Sequence, residues 1–159
     1  MDEKIAVLEL AKNIIETNQY ASMSTIFNNS PWANTIAYVF DTKYNFYFVS
    51  KPNSKHSENI KTNKKVMLTI YDSHQPFGDG IGLQIEGMCD KCSLLESAKV
   101  LKLYFSRKWI YGSPTNFPIL KKLIKNETFV FYKITTTKFM MLDPNSDEEE
   151  RIEVKIKND

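Results

Sequence analysis

The sequence has 159 residues, of which 42% are hydrophobic and 13% aromatic, and its formal net charge is +2. This length and composition predict a single domain over residues 1–159 with a packed core, and they exclude a disordered chain. The nearly balanced charge gives no reason to expect a nucleic-acid partner. No apolar run approaches the roughly 20 residues that span a bilayer, so no membrane partner is expected. The N-terminus carries charges throughout and lacks the pattern of a signal peptide, so we expect a cytoplasmic protein.

The first half of the chain predicts one helix followed by an antiparallel meander. Apolar residues recur at helical spacing over residues 3–17, and the pattern then changes to β-like runs with connections too short for a helical crossover. A polar turn, "NNSPW", is predicted between the first two runs. The predicted strands are "YASMSTIF" (20–27), "NTIAYVF" (34–40), "FYFVS" (46–50) and "KVMLTIYD" (65–72).

The second half predicts a further strand, two helices and a final group of strands. The loop "SHQPFGDGIG" (73–82) leads into "LQIEGMC" (83–89), and Ser93 and Glu96 occupy capping-box positions of a helix over 93–109. A short helix is predicted around "ILKKLIK" (119–125), then one or two strands over 128–143 broken near Thr136. The ending 146–159 is interpreted as another strand or a tail. This order predicts a mainly β fold, a small antiparallel barrel with peripheral helices.

The stretch "VSKPNSKHSENIKTNKKVMLTI" (49–70) places polar and basic residues between two predicted strands. A short helix is predicted here, with Ser54 or Ser57 as its N-cap and its end at residues 61–63. Unpaired N–H groups at a helix start favour an anion, and serine hydroxyls and lysines could add contacts suited to a phosphate monoester. The alternative is a solvent-exposed connection in which lysines happen to cluster. Spacing alone leaves both interpretations open.

The order of the elements resembles the FMN-binding split barrels related to pyridoxamine 5′-phosphate oxidase. The similarity covers about residues 5–142 and depends on the order of short pieces rather than on one motif. The matching pieces are "ASMSTIF", "PWANTIAYVFD", "FYFVS", "SKHSENIKTNKKVMLTI" and "LQIEGMCD". The resemblance implies an antiparallel split β-barrel that forms a homodimer, with FMN bound at the subunit interface and a small-molecule substrate.

The resemblance also implies residues for the cofactor. It places the FMN phosphate at the turn after the third strand, with Lys55 as its principal cation, and the flavin ring along the second and third strands. It places Gln84 towards the flavin and suggests that Trp109 reaches across from the partner subunit, while Asn59 fixes the turn. The implied cofactor-binding residues are Asn34, Thr35, Ile36, Phe48, Val49, Ser50, Lys51, Ser54, Lys55, Gln84 and Trp109.

Two functions remain open at this stage. The first is an FMN-dependent oxidoreductase that passes electrons between a reduced nicotinamide cofactor and a small acceptor. The C-terminal substrate segment of the oxidase itself is not found, so its specific activity is not expected. The second is a non-enzymatic flavin- or haem-binding protein, for which His56 and His74 are the axial choices. Cys89 and Cys92 lack the context of a redox pair or a zinc site and are interpreted as ordinary thiols.

Overall fold

A computed structural model describes residues 6–78, 80–110, 112 and 129–156. These residues form three α-helices and eight β-strands. The predicted short helix at 119–125 lies outside the described residues. No helix in the described ranges is long and apolar enough to cross a membrane. In chain order the elements are α1 (Val7–Thr17), β1 (Tyr20–Phe27), β2 (Ser30–Ala37), β3 (Val39–Phe40), β4 (Phe46–Ser50), α2 (Lys55–Thr62), β5 (Lys65–Tyr71), β6 (Gly82–Lys91), α3 (Leu94–Ser106), β7 (Val130–Leu142) and β8 (Arg151–Glu153).

The strands form one antiparallel sheet in the order β2-β1-β5-β6-β7-β4-β3, and β8 pairs with β7. The sheet curls around a core of alternating inward residues from β1, β5 and β6, and α1 packs against it through Ala11 and Ile15. This confirms the predicted antiparallel split barrel. The capping box of α3 is also confirmed, because Ser93 and Glu96 bond each other's backbone N–H groups.

The two edges of the sheet meet at Tyr38. Strands β2 and β3 lie at opposite ends of the strand order, yet Tyr38 alone separates them in the chain. One continuous strand was predicted over residues 34–40, and this was wrong because the chain passes from one edge to the other at Tyr38. Strands β2 and β4 are neighbours in space but are not paired by hydrogen bonds. The barrel is therefore split between β2 and β4.

Arg107, just after α3, fixes the closure point. Its guanidinium donates to the backbone carbonyls of Tyr38 and Asn18, and it lies 4.6 Å from the Tyr38 ring centre. The Tyr38 hydroxyl donates to the carbonyl oxygens of Ile15 and Asn18 at 2.8 and 2.9 Å. The last carbonyls of α1 thus gain donors and a positive charge, both of which favour a helix C-terminus. The Arg107 side chain therefore connects the end of α3 to the end of α1 and to Tyr38, where the barrel closes.

Two strand predictions needed correction. Residues 28–32 were expected to form a turn, but only Asn28 and Asn29 do, both with positive φ, so β2 already begins at Ser30 and includes Pro31. A two-residue loop of this kind suits the twist of a hairpin, and asparagine tolerates that backbone conformation.

The predicted break near Thr136 is instead a bulge within one continuous strand, β7. The β6–β7 register shifts between Glu86 and Gly87, leaving Thr137 as an extra residue on β7. A Cβ atom on Gly87 would lie 2.6 Å from a methyl group of Ile134, so glycine allows the close approach at the bulge.

A buried hydrogen bond attaches α2 to the sheet. Asn59 is 1% exposed, and its Nδ2 donates to Thr25 Oγ1 on β1 at 3.0 Å. The resemblance suggested that Asn59 fixes the turn, and in the structure it anchors the whole short helix to β1. The predicted helix end is confirmed, because α2 stops at Thr62 with Asn63 as its C-cap. The start of α2 is therefore held at a fixed place beside the end of β4.

Replacing Asn59 with alanine should lower the free energy of unfolding by about 1–3 kcal/mol, because it removes a buried hydrogen bond. Denaturant unfolding of the purified protein measures this. Lys61→Ala on the exposed side of the same helix is the matched control. It breaks only a surface ion pair with Glu58 and should change stability by less than about 0.5 kcal/mol. Equal effects of the two substitutions would show that Asn59 does not anchor α2.

Candidate functional site

A group of polar side chains lies where β4 ends and α2 begins. We call Ser50, Ser54, His56 and Ser57 the serine–histidine cluster. The Ser50 hydroxyl lies 2.7 Å from His56 Nε2 and 3.2 Å from the Ser54 hydroxyl, which donates to Ser57 at 2.8 Å. Ser54 is the N-cap residue of α2, but its side chain makes no bond to the helix backbone. Hydroxyls and a helix N-terminus therefore face one small region, an arrangement that suits an anion.

His56 is the member of the cluster whose role the sequence left undecided. Its Nε2 is also 3.1 Å from the Ser54 hydroxyl, and its ring centre lies 6.1 Å from that of Phe48. Burial lowers the pKa of His56 below its ordinary value, so the ring is neutral at neutral pH in this state. The structure makes His56 part of the polar group rather than a solvated surface residue.

The two predicted phosphate lysines flank this cluster. Lys55 Nζ lies 5.6 Å from the centre of the Phe27 ring, and Lys51 Nζ lies 5.8 Å from that of Phe129. Both lysines are exposed, and both side chains are long enough to adopt other rotamers. Their assignment to the phosphate remains a prediction.

The β2 residues implied by the resemblance face in different directions. Ile36 is 5% exposed and belongs to the core, whereas Thr35 is exposed on the outer face beside Ser22. Asn34 faces inward opposite Met23, and its side-chain Oδ1 is buried with no hydrogen-bond partner among the described residues. A buried unpartnered acceptor costs free energy and suggests a missing donor. The unpaired edge of β2 and Asn34 lie beside the split of the barrel.

Gln84 lies away from the serine–histidine cluster in the same chain. It shares the outer face with Thr35, through the register Thr35–Ser22–Thr69–Gln84 across four strands. Its Oε1 accepts a hydrogen bond from Arg151 on β8. Both residues line a cavity of about 420 Å³ together with Thr69, and no member of the cluster lines it. Sequence reasoning missed Arg151, because its hydrogen bond to Gln84 depends on the register of β8 against β7.

The remaining predicted site residues are packed within their own chain. Trp109 Nε1 donates to the Tyr104 carbonyl at 3.0 Å, and the two rings stack 5.8 Å apart. A reach by Trp109 into a partner subunit remains a prediction. Phe48 is fully buried and stacks on Tyr132, while Val49 is half-buried in a second core cluster. As consecutive residues of β4 they point to opposite faces of the sheet, Phe48 into the barrel core and Val49 into the cluster beside α3.

The two cysteines are buried thiols. Burial raises the pKa of Cys89 well above its usual range and raises the pKa of Cys92 to about 12. Both stay protonated at physiological pH, a state that is neither nucleophilic nor metal-binding. The described ranges contain no group of three or more metal-binding side chains. The sequence interpretation of ordinary thiols is consistent with these environments.

The chain belongs to the pyridoxamine 5′-phosphate oxidase family, whose model matches residues 7–139. That range includes every strand from β1 to β6 and the serine–histidine cluster. Among curated proteins, no sequence matches this chain. The family assignment agrees with the resemblance on which the site predictions depend.

Solved structures share the fold at low sequence identity. A putative pyridoxamine 5′-phosphate oxidase from Listeria innocua superposes with a TM-score of 0.62 at 16% identity, covering 86% of this chain and 98% of that one. An FAD-binding protein from Mesorhizobium loti superposes with a TM-score of 0.62 at 14% sequence identity, covering 87% of this chain and 95% of that one. A heme binding protein from Mycobacterium smegmatis superposes with a TM-score of 0.71 at 12% sequence identity. The match covers 95% of this chain, but this chain spans only 59% of the length of that protein. Relatives of this shape thus include flavin-binding and haem-binding proteins.

Replacing Asn34 with leucine should leave the stability of the ligand-free protein unchanged or raise it by about 1 kcal/mol. The reason is that an apolar side chain of similar size removes a buried acceptor that has no partner. Denaturant unfolding without added ligand measures the change. Ile36→Ala, on the same strand and face, is the control and should cost about 2–4 kcal/mol. A loss above about 1 kcal/mol for Asn34→Leu would mean that the carbonyl oxygen is satisfied.

Proposed function

We propose that this protein is an FMN-binding flavoprotein that transfers electrons between a reduced nicotinamide cofactor and a small acceptor. The observation that carries the proposal is the serine–histidine cluster at the start of α2, in a chain of the pyridoxamine 5′-phosphate oxidase family. The nicotinamide donor would place the reaction in the cytoplasm, and that location is part of the same proposal.

The polar cluster has the chemistry that a phosphate monoester requires. The hydroxyls of Ser50 and Ser54 can donate to phosphate oxygens, and the first-turn N–H groups of α2 add donors and a partial positive charge. Lys51 and Lys55 border the cluster and would supply compact positive charge after moving from their aromatic neighbours. The donor set of this region therefore fits the phosphate end of FMN.

The split of the barrel offers groups for the flavin ring. In the described part of the chain, β2 pairs only with β1, so its other edge presents backbone N–H and C=O groups. The polar edge of the flavin ring carries N–H and C=O groups like those of a peptide, and such groups bind at a free strand edge. Asn34 Oδ1 is a buried acceptor beside the same edge. Phe48 would form the apolar floor, and the backbone of Val49 would contact the ring.

Bound FMN would supply the hydride and electron chemistry, and the residues of the chain would bind and orient it and exclude water. No titratable side chain is required to accept a proton for hydride transfer to a flavin. The apolar packing of Phe48 against Tyr132 beneath the split would keep water from that side of the ring. The chain's contribution is therefore position and electrostatics.

We also propose that the protein is a homodimer with the flavin site at the subunit interface. The outer face of β1, β5 and β6 exposes large apolar side chains, which marks a surface for a partner. These side chains are Tyr20, Ile26, Met67, Tyr71 and Met88. A second subunit on this face would bring its own polar groups towards the cross-strand row of polar residues that runs from Thr35 to Gln84.

Sedimentation velocity at micromolar concentration should therefore show a dimer. Met67→Lys would place a charge in the middle of the apolar face and should shift the protein to monomer, since a buried unpaired charge is costly. Thr42→Lys, in the exposed turn before β4, is the control and should leave the dimer intact. A wild-type monomer would contradict the interfacial site.

Addition of FMN to the purified protein should produce bound-flavin absorbance and raise the melting temperature, because the ligand binds only the folded state. Lys55→Ala should weaken FMN binding about 10- to 100-fold, which corresponds to the loss of one charge-assisted contact. Riboflavin, which lacks the phosphate, should bind wild type and variant equally. Lys61→Ala on the same helix is the matched control.

The outcomes of this titration separate the open alternatives. An unchanged FMN affinity in Lys55→Ala would remove Lys55 from the phosphate role. A Soret band on adding haem, with no flavin binding, would favour the haem-binding alternative. The described histidines do not favour haem, because His56 Nε2 is bonded to serine hydroxyls and His74 lies in an exposed loop, paired with Asp72.

A further inference from the structure

We propose that His56 is a ligand of the FMN phosphate and takes up a proton as the phosphate binds. This inference rests on the proposed function and concerns the same site. His56 would be the switchable cation of the cluster, and flavin affinity would then depend on pH through one side chain. The argument starts from the position of the imidazole.

The imidazole of His56 lies between the two serines that would hold the phosphate. Its Nε2 is 2.7 Å from the Ser50 hydroxyl and 3.1 Å from the Ser54 hydroxyl. An anion that accepts hydrogen bonds from both hydroxyls must therefore come within reach of Nε2. A neutral ring offers only one N–H, whereas the imidazolium donates from both nitrogens. The protonated form matches a phosphate oxygen at this place.

Among the described residues around His56, the other charged groups make no hydrogen bond to the Ser50 and Ser54 hydroxyls in this geometry, although Lys51 and Lys55 can turn towards a bound phosphate as proposed above. Lys51 and Lys55 lie over aromatic rings, and Lys61 is paired with Glu58 at 2.7 Å. On β7, burial raises the pKa of the Tyr132 phenol, so it is neutral. Within the part of the chain that the structure describes, the ionisable side chain hydrogen-bonded to the Ser50 and Ser54 hydroxyls is thus His56.

The sign of the pH effect follows from the two environments of the ring. Burial lowers the pKa of His56 in the ligand-free protein, whereas a phosphate dianion beside it would favour the charged ring and raise the pKa. A group with a higher pKa in the complex takes up a proton on binding when the pH lies between the two values. The affinity then falls as the pH rises through the pKa of the complex, approaching tenfold per pH unit at its steepest.

Isothermal titration of the full chain with FMN tests the inference. Titrations run from pH 6.8 to 8.5, above the phosphate pKa near 6, in buffers of different ionisation enthalpy. Wild type should take up as much as about one proton per FMN, and its affinity should fall with rising pH. Titration with riboflavin should show no proton uptake in this range, because the phosphate is missing.

Two substitutions at one position isolate the charge. His56→Asn keeps a polar side chain but cannot be protonated, so FMN should bind more weakly and with no proton uptake. His56→Lys carries a fixed charge, so binding should be as tight as that of wild type at pH 6.8 and show no proton uptake. Melting curves of each ligand-free variant confirm that it folds, and riboflavin affinity reports whether the ring site is intact.

The results distinguish this inference from the proposed function. FMN binding without proton uptake in wild type, or proton uptake that persists in His56→Asn, would overturn the role of His56 and leave the flavoprotein proposal intact. Absence of both FMN and riboflavin binding by folded wild type would overturn both. Loss of proton uptake in His56→Asn with riboflavin affinity unchanged would support the inference.

Discussion

The closure of the sheet at Tyr38 is the constraint on which the other features depend. A single residue carries the chain from one edge strand to the other, so the end of β2 comes close to β4 without pairing with it. Arg107 and the Tyr38 hydroxyl fix this point against the end of α1. Because the closure is held there, the split between β2 and β4 has a defined place next to Tyr38.

A second constraint sets the polar end of the split. The buried bond between Asn59 and Thr25 joins α2 to β1, so the helix cannot slide along the sheet without leaving a buried amide unpaired. The start of α2 is thereby held at a fixed position close to Ser50. Two buried polar anchors, one at Tyr38 and one at Asn59, thus hold the split of the barrel and the start of α2, the two regions that the proposed flavin site would use.

The order of the elements along the chain and the serine-rich turn could be predicted because they depend on local patterns: alternating apolar residues, turn residues and a capping box. The part that could not be predicted depends on register. Neither the passage at Tyr38 nor the pairing of Arg151 with Gln84 has a local signal, since both arise from residues distant in the chain. For the same reason, the sequence could not decide whether His56 was solvated or bonded to Ser50.

Pro31 has a consequence for how the protein behaves in solution. An edge strand without a neighbour can template pairing with another chain, and natural sheets guard against this with residues that cannot continue the ladder. Pro31, near the start of β2, has no N–H to offer such a ladder. The residue that a sequence pattern assigns to a turn therefore protects the edge of β2 against pairing with another chain.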